Sequence, residues 1–173
     1  MKSALIIYST TDGQTLEICK RILLNLHVED TSKIVHISKA KEHDLTQFDK
    51  IIIGASIRYG KHKPELYKFI EENSSLLENK DSAFFSVNVV ARKPEKNTPE
   101  TNPYMQKFLN LSTWKPKRLA VFAGKIDYPK YGFIDKHMIR LIMWITKGPT
   151  DIKNTYEFTN WDDVNNFSNR LNT

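Results

Sequence analysis

The sequence predicts an α/β fold: one domain built on a doubly wound, five-stranded parallel sheet. Short apolar runs of strand length alternate along the chain with stretches whose apolar residues recur at helical spacing, and that alternation makes a parallel sheet covered on both faces. At 173 residues the chain has room for one such sheet, and no repeat, low-complexity tract or linker divides residues 1–173.

Each element has its own signal. Ala4-Leu5-Ile6-Ile7-Tyr8 is an apolar run suited to a buried parallel strand. Leu16, Ile18, Cys19, Ile22, Leu23 and Leu26 then recur at helical spacing. Lys33 to Ile37 reads as the second strand and Lys50 to Gly54 as the third; the polar stretch Glu42 to Phe48 between them leaves room for one helical turn. Pro64 opens a helix running to about Glu72, with Leu66, Phe69 and Ile70 inward. Ser82 to Val87 is a fourth strand. Pro99 to Leu111 is a helix with Tyr104, Phe108 and Leu111 on one face, and Leu119 to Ala123 a fifth strand ending at Gly124. Thr155 to Thr159 reads as strand, and Trp161 to Leu171 as a last helix capped by Asn160.

Composition bounds the function classes. Hydrophobic content of 40% and charged content of 27% are those of a globular protein. The single cysteine, Cys19, cannot form an internal disulfide and sits in a helical core pattern, which suits a reducing compartment. The chain enters its first strand without a signal-peptide pattern, and no apolar run approaches the ~20 residues of a spanning helix, so the expectation is a cytoplasmic protein that is not integral to a membrane. A net charge of +6 favours an anionic partner. His27, His36, His43, His62 and His137 lack metal-ligand spacing, and no nucleic-acid module pattern occurs, so neither a metal nor a nucleic acid is expected.

In such a sheet ligands bind beyond the carboxyl ends of the strands. The first loop there is Ser9-Thr10-Thr11-Asp12-Gly13-Gln14-Thr15, joining a strand to a helix amino terminus. Free amides and the helix dipole favour an anion, the hydroxyls add donors, and Gly13 permits close approach. No Lys or Arg lies in the loop, so neutral donors would do most of the holding. An ordinary turn capped by Thr11 or Asp12 accounts for the same residues. Neither G-x-G-x-x-G nor G-x-x-x-x-G-K-[ST] occurs. The hydroxyl-rich loop resembles the FMN phosphate loop of flavodoxins, [ST]-x-T-G-x-T, except that Asp12 stands at a threonine position; a carboxylate there must point away from a phosphate.

Two further loops lie on the same edge, Gly54-Ala55-Ser56-Ile57-Arg58-Tyr59-Gly60 and Asn88-Val89-Val90-Ala91-Arg92-Lys93-Pro94-Glu95-Lys96. Alone, the first reads better as a glycine-bounded turn with a solvated Arg, and the charges of the second as a solvated face. Together with Ser82 to Val87, Tyr128-Pro129-Lys130-Tyr131 and Met138 to Met143, they resemble the bacterial quinone-dependent protoporphyrinogen IX dehydrogenases, over nearly the whole chain. The resemblance implies a flavodoxin-like, long-chain fold in which an insertion splits the last strand, FMN as cofactor, protoporphyrinogen IX as substrate and menaquinone or ubiquinone as acceptor. It also implies a peripheral location on the cytoplasmic side of the inner membrane. Ser9, Thr10, Gly13, Gln14 and Thr15 would hold the phosphate, with Thr11 and Asp12 in the same cofactor-binding loop, and Ala55, Ser56, Ile57, Arg58, Tyr59, Ser86, Val87, Asn88, Val89, Val90, Ala91 and Arg92 the ring. No side-chain triad is expected, because the flavin carries the chemistry. Arg58, Arg92 and Lys93 are candidates to pair with the substrate's propionates.

The stretch 125–154 is too long for a plain connection and marks the insertion. On a helix from Phe133 to Lys147, Ile134, Met138, Leu141, Ile142 and Ile145 share one arc; Lys136, Arg140 and Lys147 share another, beside Trp144 and His137. An anionic membrane surface suits such a helix, and the cationic edge, the overall charge and Tyr128, Tyr131 and Phe133 favour that reading. The arc could instead pack on the domain's own sheet or wall a substrate pocket. Two other functions share the fold and cofactor: an electron-carrier flavodoxin, which the basic charge disfavours because such carriers are typically acidic, and an NAD(P)H:quinone reductase.

Overall fold

A computed structural model describes residues 2–173. The strands β1 (Ala4–Ser9), β2 (Lys33–His36), β3 (Lys50–Ser56), β4 (Asp81–Val87) and β5 (Arg118–Phe122) form one parallel sheet in the order β2-β1-β3-β4-β5. Period-two alternation sends each strand's side chains to opposite faces. Leu5, Ile7, Ile51, Ile53 and Phe84 meet α2 (Pro64–Asn79) and α3 (Pro103–Leu111) on one face. Ala4, Ile6, Ile52, Phe85 and Phe122 meet α1 (Gln14–Asn25) and α5 (Trp161–Leu171) on the other. Gly54 permits this packing: a Cβ there would sit 2.1 Å from Cζ of Phe85, a buried ring that cannot yield.

Several boundaries differ from the sequence-predicted ones for local reasons. Ile37 leaves β2 and starts a 3₁₀ turn. The helix α2 passes the polar Asn73-Ser74-Ser75 because Leu77 beyond it is fully buried. The helix α3 starts at Pro103, with the Asn102 side chain capping it, and buries Met105 and Phe108; Leu111, expected inward, is exposed.

The insertion differs most. After β5 the chain turns at Ala123 and Gly124 into β6 (Lys125–Asp127), then α4 (Phe133–Ile145), and returns through β7 (Thr155–Glu157). That return strand does not rejoin the parallel sheet. It pairs antiparallel with β6, while Phe158 N donates to the Gly124 carbonyl (3.0 Å) and the Thr159 hydroxyl to that of Ala123 (2.8 Å). The last strand is therefore not split: β5 is complete before an insertion that has its own ribbon and its own small core of Ile126, Tyr128, Tyr131 and Met143.

Candidate functional site

At the end of β1 the chain crosses Thr10 to Gly13 and enters α1. Gly13 is the residue before the helix, at φ +88°, a left-handed conformation that costs glycine little. No side chain caps the helix, so its first amides are free to face a ligand. The Thr15 and Ser56 hydroxyls are buried without a hydrogen-bond partner, which is uncommon inside proteins. Both line one cavity of about 50 Å³, together with Thr10, Gln14, Asn88 and Lys125. Orphan donors at a helix amino terminus are the complement of an anion.

The rest of the loop is held by the protein. The Thr10 hydroxyl accepts from Gly13 N at 3.0 Å, Ser9 donates to Glu65 Oε1 at 3.0 Å, and Gln14 Nε2 donates to Glu157 Oε1 (3.1 Å) and Thr159 Oγ1 (2.9 Å). Thr11 is exposed. Beyond the neutral donors expected to do most of the holding, positive charge also arrives from elsewhere in the chain. Lys63 Nζ donates to the Thr10 carbonyl at 2.9 Å, and Lys125 of β6 lines the cavity. Neither signal was available from spacing, since both residues lie far from the loop in sequence.

The connection after β3 makes a tight turn. Arg58 and Lys61 exchange backbone hydrogen bonds of 3.0 and 3.3 Å, with Tyr59 (φ +49°) and Gly60 (φ +77°) between them, the type I′ pattern. Tyr59 is held in this costly conformation by its hydroxyl, which donates to the Asp135 carboxylate. Beside it the Arg58 guanidinium joins three segments. It lies 3.1 Å from Asp12 Oδ2 and 2.9 Å from Asp135 Oδ2, with the Tyr59 and Tyr131 rings 5.2 and 5.1 Å from its centre. Tyr131 OH donates to Asp12 Oδ2 at 3.2 Å. Asp12, the departure from the phosphate-loop pattern, is thus engaged by a cation and a phenol. Burial raises its carboxyl above the ordinary range and Arg58 opposes that shift. Burial also pushes the Tyr131 phenol up to about 12.

The loop after β4 rests on a buried polar chain that the sequence reading missed. His62 Nε2 lies 3.1 Å from the Ser86 hydroxyl, Asn88 Nδ2 donates to that hydroxyl at 3.3 Å, and Asn102 Nδ2 donates to Asn88 Oδ1 at 3.0 Å. Asn88 Oδ1 accepts from Ala91 N at 3.1 Å and so shapes the loop; Asn102 Oδ1 accepts from Tyr104 N and Met105 N and starts α3. Asn102 followed by Pro103 is a readable helix start, whereas nothing in the sequence marks His62. Burial lowers His62 to about 4, so it is neutral at pH 7.

These two loops face each other across a second cavity of about 120 Å³, with Ile57, Arg58 and Tyr59 on one side and Val89, Val90 and Tyr104 on the other. Ala55 and Val87 are buried in the strand ends below, and Ala91 in the turn. Ile139, Ile142 and Met143 of α4 close the cavity, which is smaller than the roughly 300 Å³ at which small-molecule sites usually begin. Both cavities touch Asp12, Ile57, Asn88, Val89 and Lys125, so they are compartments of one site. Arg92 donates to the Val89 carbonyl (3.1 Å) and to the Thr146 carbonyl and hydroxyl (2.9 and 3.1 Å), fastening the loop to the end of α4. Lys93 is half-buried.

The helix α4 buries only Met143, with Ile139 partly covered. Ile134 is 76% exposed, Leu141 51%, Trp144 71% and Ile145 66%, with Met138 and Ile142 also exposed and Arg140 and His137 beside them. The arc is therefore not packed on the domain's own sheet. An apolar face of this kind on a protein surface is a candidate interaction site.

A family model described as a flavodoxin domain matches residues 5–153. Protoporphyrinogen IX dehydrogenase (quinone) of Escherichia coli K12 is 41% identical over 168 residues, covering 96% of this chain and 93% of that protein. The protein of the same name from Leishmania major is 41% identical over 166 residues, 95% of this chain and 72% of that one. Among solved structures, an NADH:FMN oxidoreductase in its apo form aligns with 99% of this chain and 89% of its own, at a TM-score of 0.53 and 11% identity, a likeness of fold alone. The chain belongs to the flavodoxin domain family and, within it, to the family of quinone-type protoporphyrinogen IX dehydrogenases.

Proposed function

We propose that this protein oxidises protoporphyrinogen IX to protoporphyrin IX in porphyrin biosynthesis, using FMN and a quinone acceptor. The observation that carries the reading is identity of 41% across 96% of the chain to an enzyme of that name. The residues present fit the cofactor. The unpartnered Thr15 and Ser56 hydroxyls and the uncapped start of α1 would take its phosphate, and the 57–59 and 88–91 loops would flank its ring. Bound there, FMN supplies the two-electron chemistry, and removing six electrons takes three rounds. The chain's own residues bind, orient and exclude: Asn88, fixed by Ser86 and Asn102, holds the ring loop, and α4 covers the cavity. Of the basic residues at the edge, Arg58 and Arg92 already hold protein partners, so a propionate would compete for Arg58, whereas Lys93 has no ion-pair partner among the described residues.

The location belongs to the same reading: the protein sits peripherally on the cytoplasmic side of the inner membrane, with the insertion 125–154 as its docking element and menaquinone or ubiquinone drawn from the bilayer. The exposed apolar arc of α4 beside Arg140 supports this, and no helix among the described residues is long and apolar enough to cross a membrane. The deciding experiment is anaerobic, with purified protein, FMN, protoporphyrinogen and a quinone, following porphyrin fluorescence. A rise that needs both protein and quinone is expected. A flavin-loaded protein with no rise over the blank would leave an electron carrier, and bleaching of its flavin by NAD(P)H would point to a reductase.

A further inference from the structure

The phosphate compartment contains a cation that the family reading does not supply. Its lining is Thr10, Gln14, Thr15, Ser56, Asn88 and apolar residues, with one acid, Asp12, and one base, Lys125. The acid is not the partner of the base, because Arg58 and Tyr131 hold the Asp12 carboxylate. Glu157, opposite Lys125 across the ribbon, is also engaged: its Oε1 accepts from Gln14 Nε2 at 3.1 Å and from Trp161 Nε1 at 2.9 Å. Lys125 is half-buried and has no carboxylate oxygen within 4 Å among the described residues; Asp127, two residues on, feels its charge from farther away. It is also firmly placed. The ribbon is tied to the sheet through Gly124 and Ala123, and Ile126 turns into the insertion's core, so strand alternation sends Lys125 to the opposite face.

We propose that Lys125 is the cation that reads the cofactor's phosphate, making this site prefer the phosphorylated flavin over the unphosphorylated one. The proposal rests on FMN being the cofactor. A half-buried ammonium with no carboxylate oxygen within 4 Å, beside two buried hydroxyls without acceptors, is an arrangement that one dianionic phosphate completes, in competition with the longer-range attraction of Asp127 and Glu157. Lys125 is a binding residue here, and it acts on affinity before any turnover.

The test titrates the full-length apoprotein with FMN and with riboflavin, reading flavin fluorescence at low and high salt. In Lys125→Met the Kd for FMN rises about tenfold, that for riboflavin stays within about twofold, and the salt dependence of FMN binding shrinks; Lys125→Arg keeps most of the preference. Equal losses for the two flavins, or an FMN affinity unchanged in a variant whose unfolding midpoint matches wild type, overturn the proposal. A wild-type protein that binds neither flavin overturns the cofactor reading and this proposal together, and that failure is visible before any substitution is made.

Discussion

Replacing Thr15 by Val should move the apoprotein and the flavin-loaded protein in opposite directions. Thr15 is fully buried and its hydroxyl has no partner, so the apoprotein bears the cost of a buried polar group, about 1–3 kcal/mol for such a case. Valine has nearly the same shape and the same branching at Cβ, so it fits without a cavity and without a new rotamer. The apoprotein should therefore gain about 1 kcal/mol, or some 2–4 °C in Tm for a chain of this size. With FMN bound, the same change removes a hydrogen bond to a charged acceptor, worth roughly 1.5–3 kcal/mol, so the Kd should rise about 10- to 100-fold. Urea unfolding with and without FMN, alongside a fluorescence titration, reads both effects. An apoprotein made less stable by the change, or an unchanged FMN affinity, would refute the assignment of this hydroxyl to the phosphate.

Two further expectations concern other parts of the molecule. His62 titrates near 4 when folded, against about 6.5 in an unfolded chain, so between those values the unfolded state binds more protons. Its contribution to stability is complete above the unfolded value and is lost as pH falls toward 4, by about 3 kcal/mol at most; His62→Gln should flatten the unfolding free energy over that window, and a slope equal to wild type would count against it. Pairing Ile134→Glu with Leu141→Glu on the exposed face of α4 should abolish co-sedimentation with anionic phospholipid vesicles while leaving FMN affinity intact. Undiminished sedimentation would remove α4 as the docking element.

The parallel sheet was legible because its strands are apolar runs, Ala4 to Tyr8 and Ile51 to Ile53 among them, and burial on both faces leaves few other uses for such runs. The loop after β1 was legible as a candidate anion site for a similar reason: hydroxyls and a glycine between a strand and a helix have a local meaning. What escaped is non-local. Lys63 meets Thr10, and Arg58 meets Asp12 and Asp135, only because the fold brings distant loops to one sheet edge. His62 carried no signal, since a buried neutral imidazole and a surface one look alike in sequence. The apolar arc of α4 was readable as a pattern; that the protein leaves it uncovered was not, because periodicity reports a face and says nothing of its partner. Likewise Thr155 to Glu157 has strand composition, but its choice of β6 over the main sheet depends on where the insertion ends in space.

One guanidinium holds the loop after β1 through Asp12 and the start of α4 through Asp135. Two distant segments are thereby in thermodynamic linkage. Any ligand carboxylate that takes Arg58 from Asp135 must loosen the insertion, and by reciprocity an insertion drawn away toward another surface leaves Arg58 a better host for that carboxylate. Release of Asp135 and occupancy of Arg58 by a ligand carboxylate are then coupled through that one side chain.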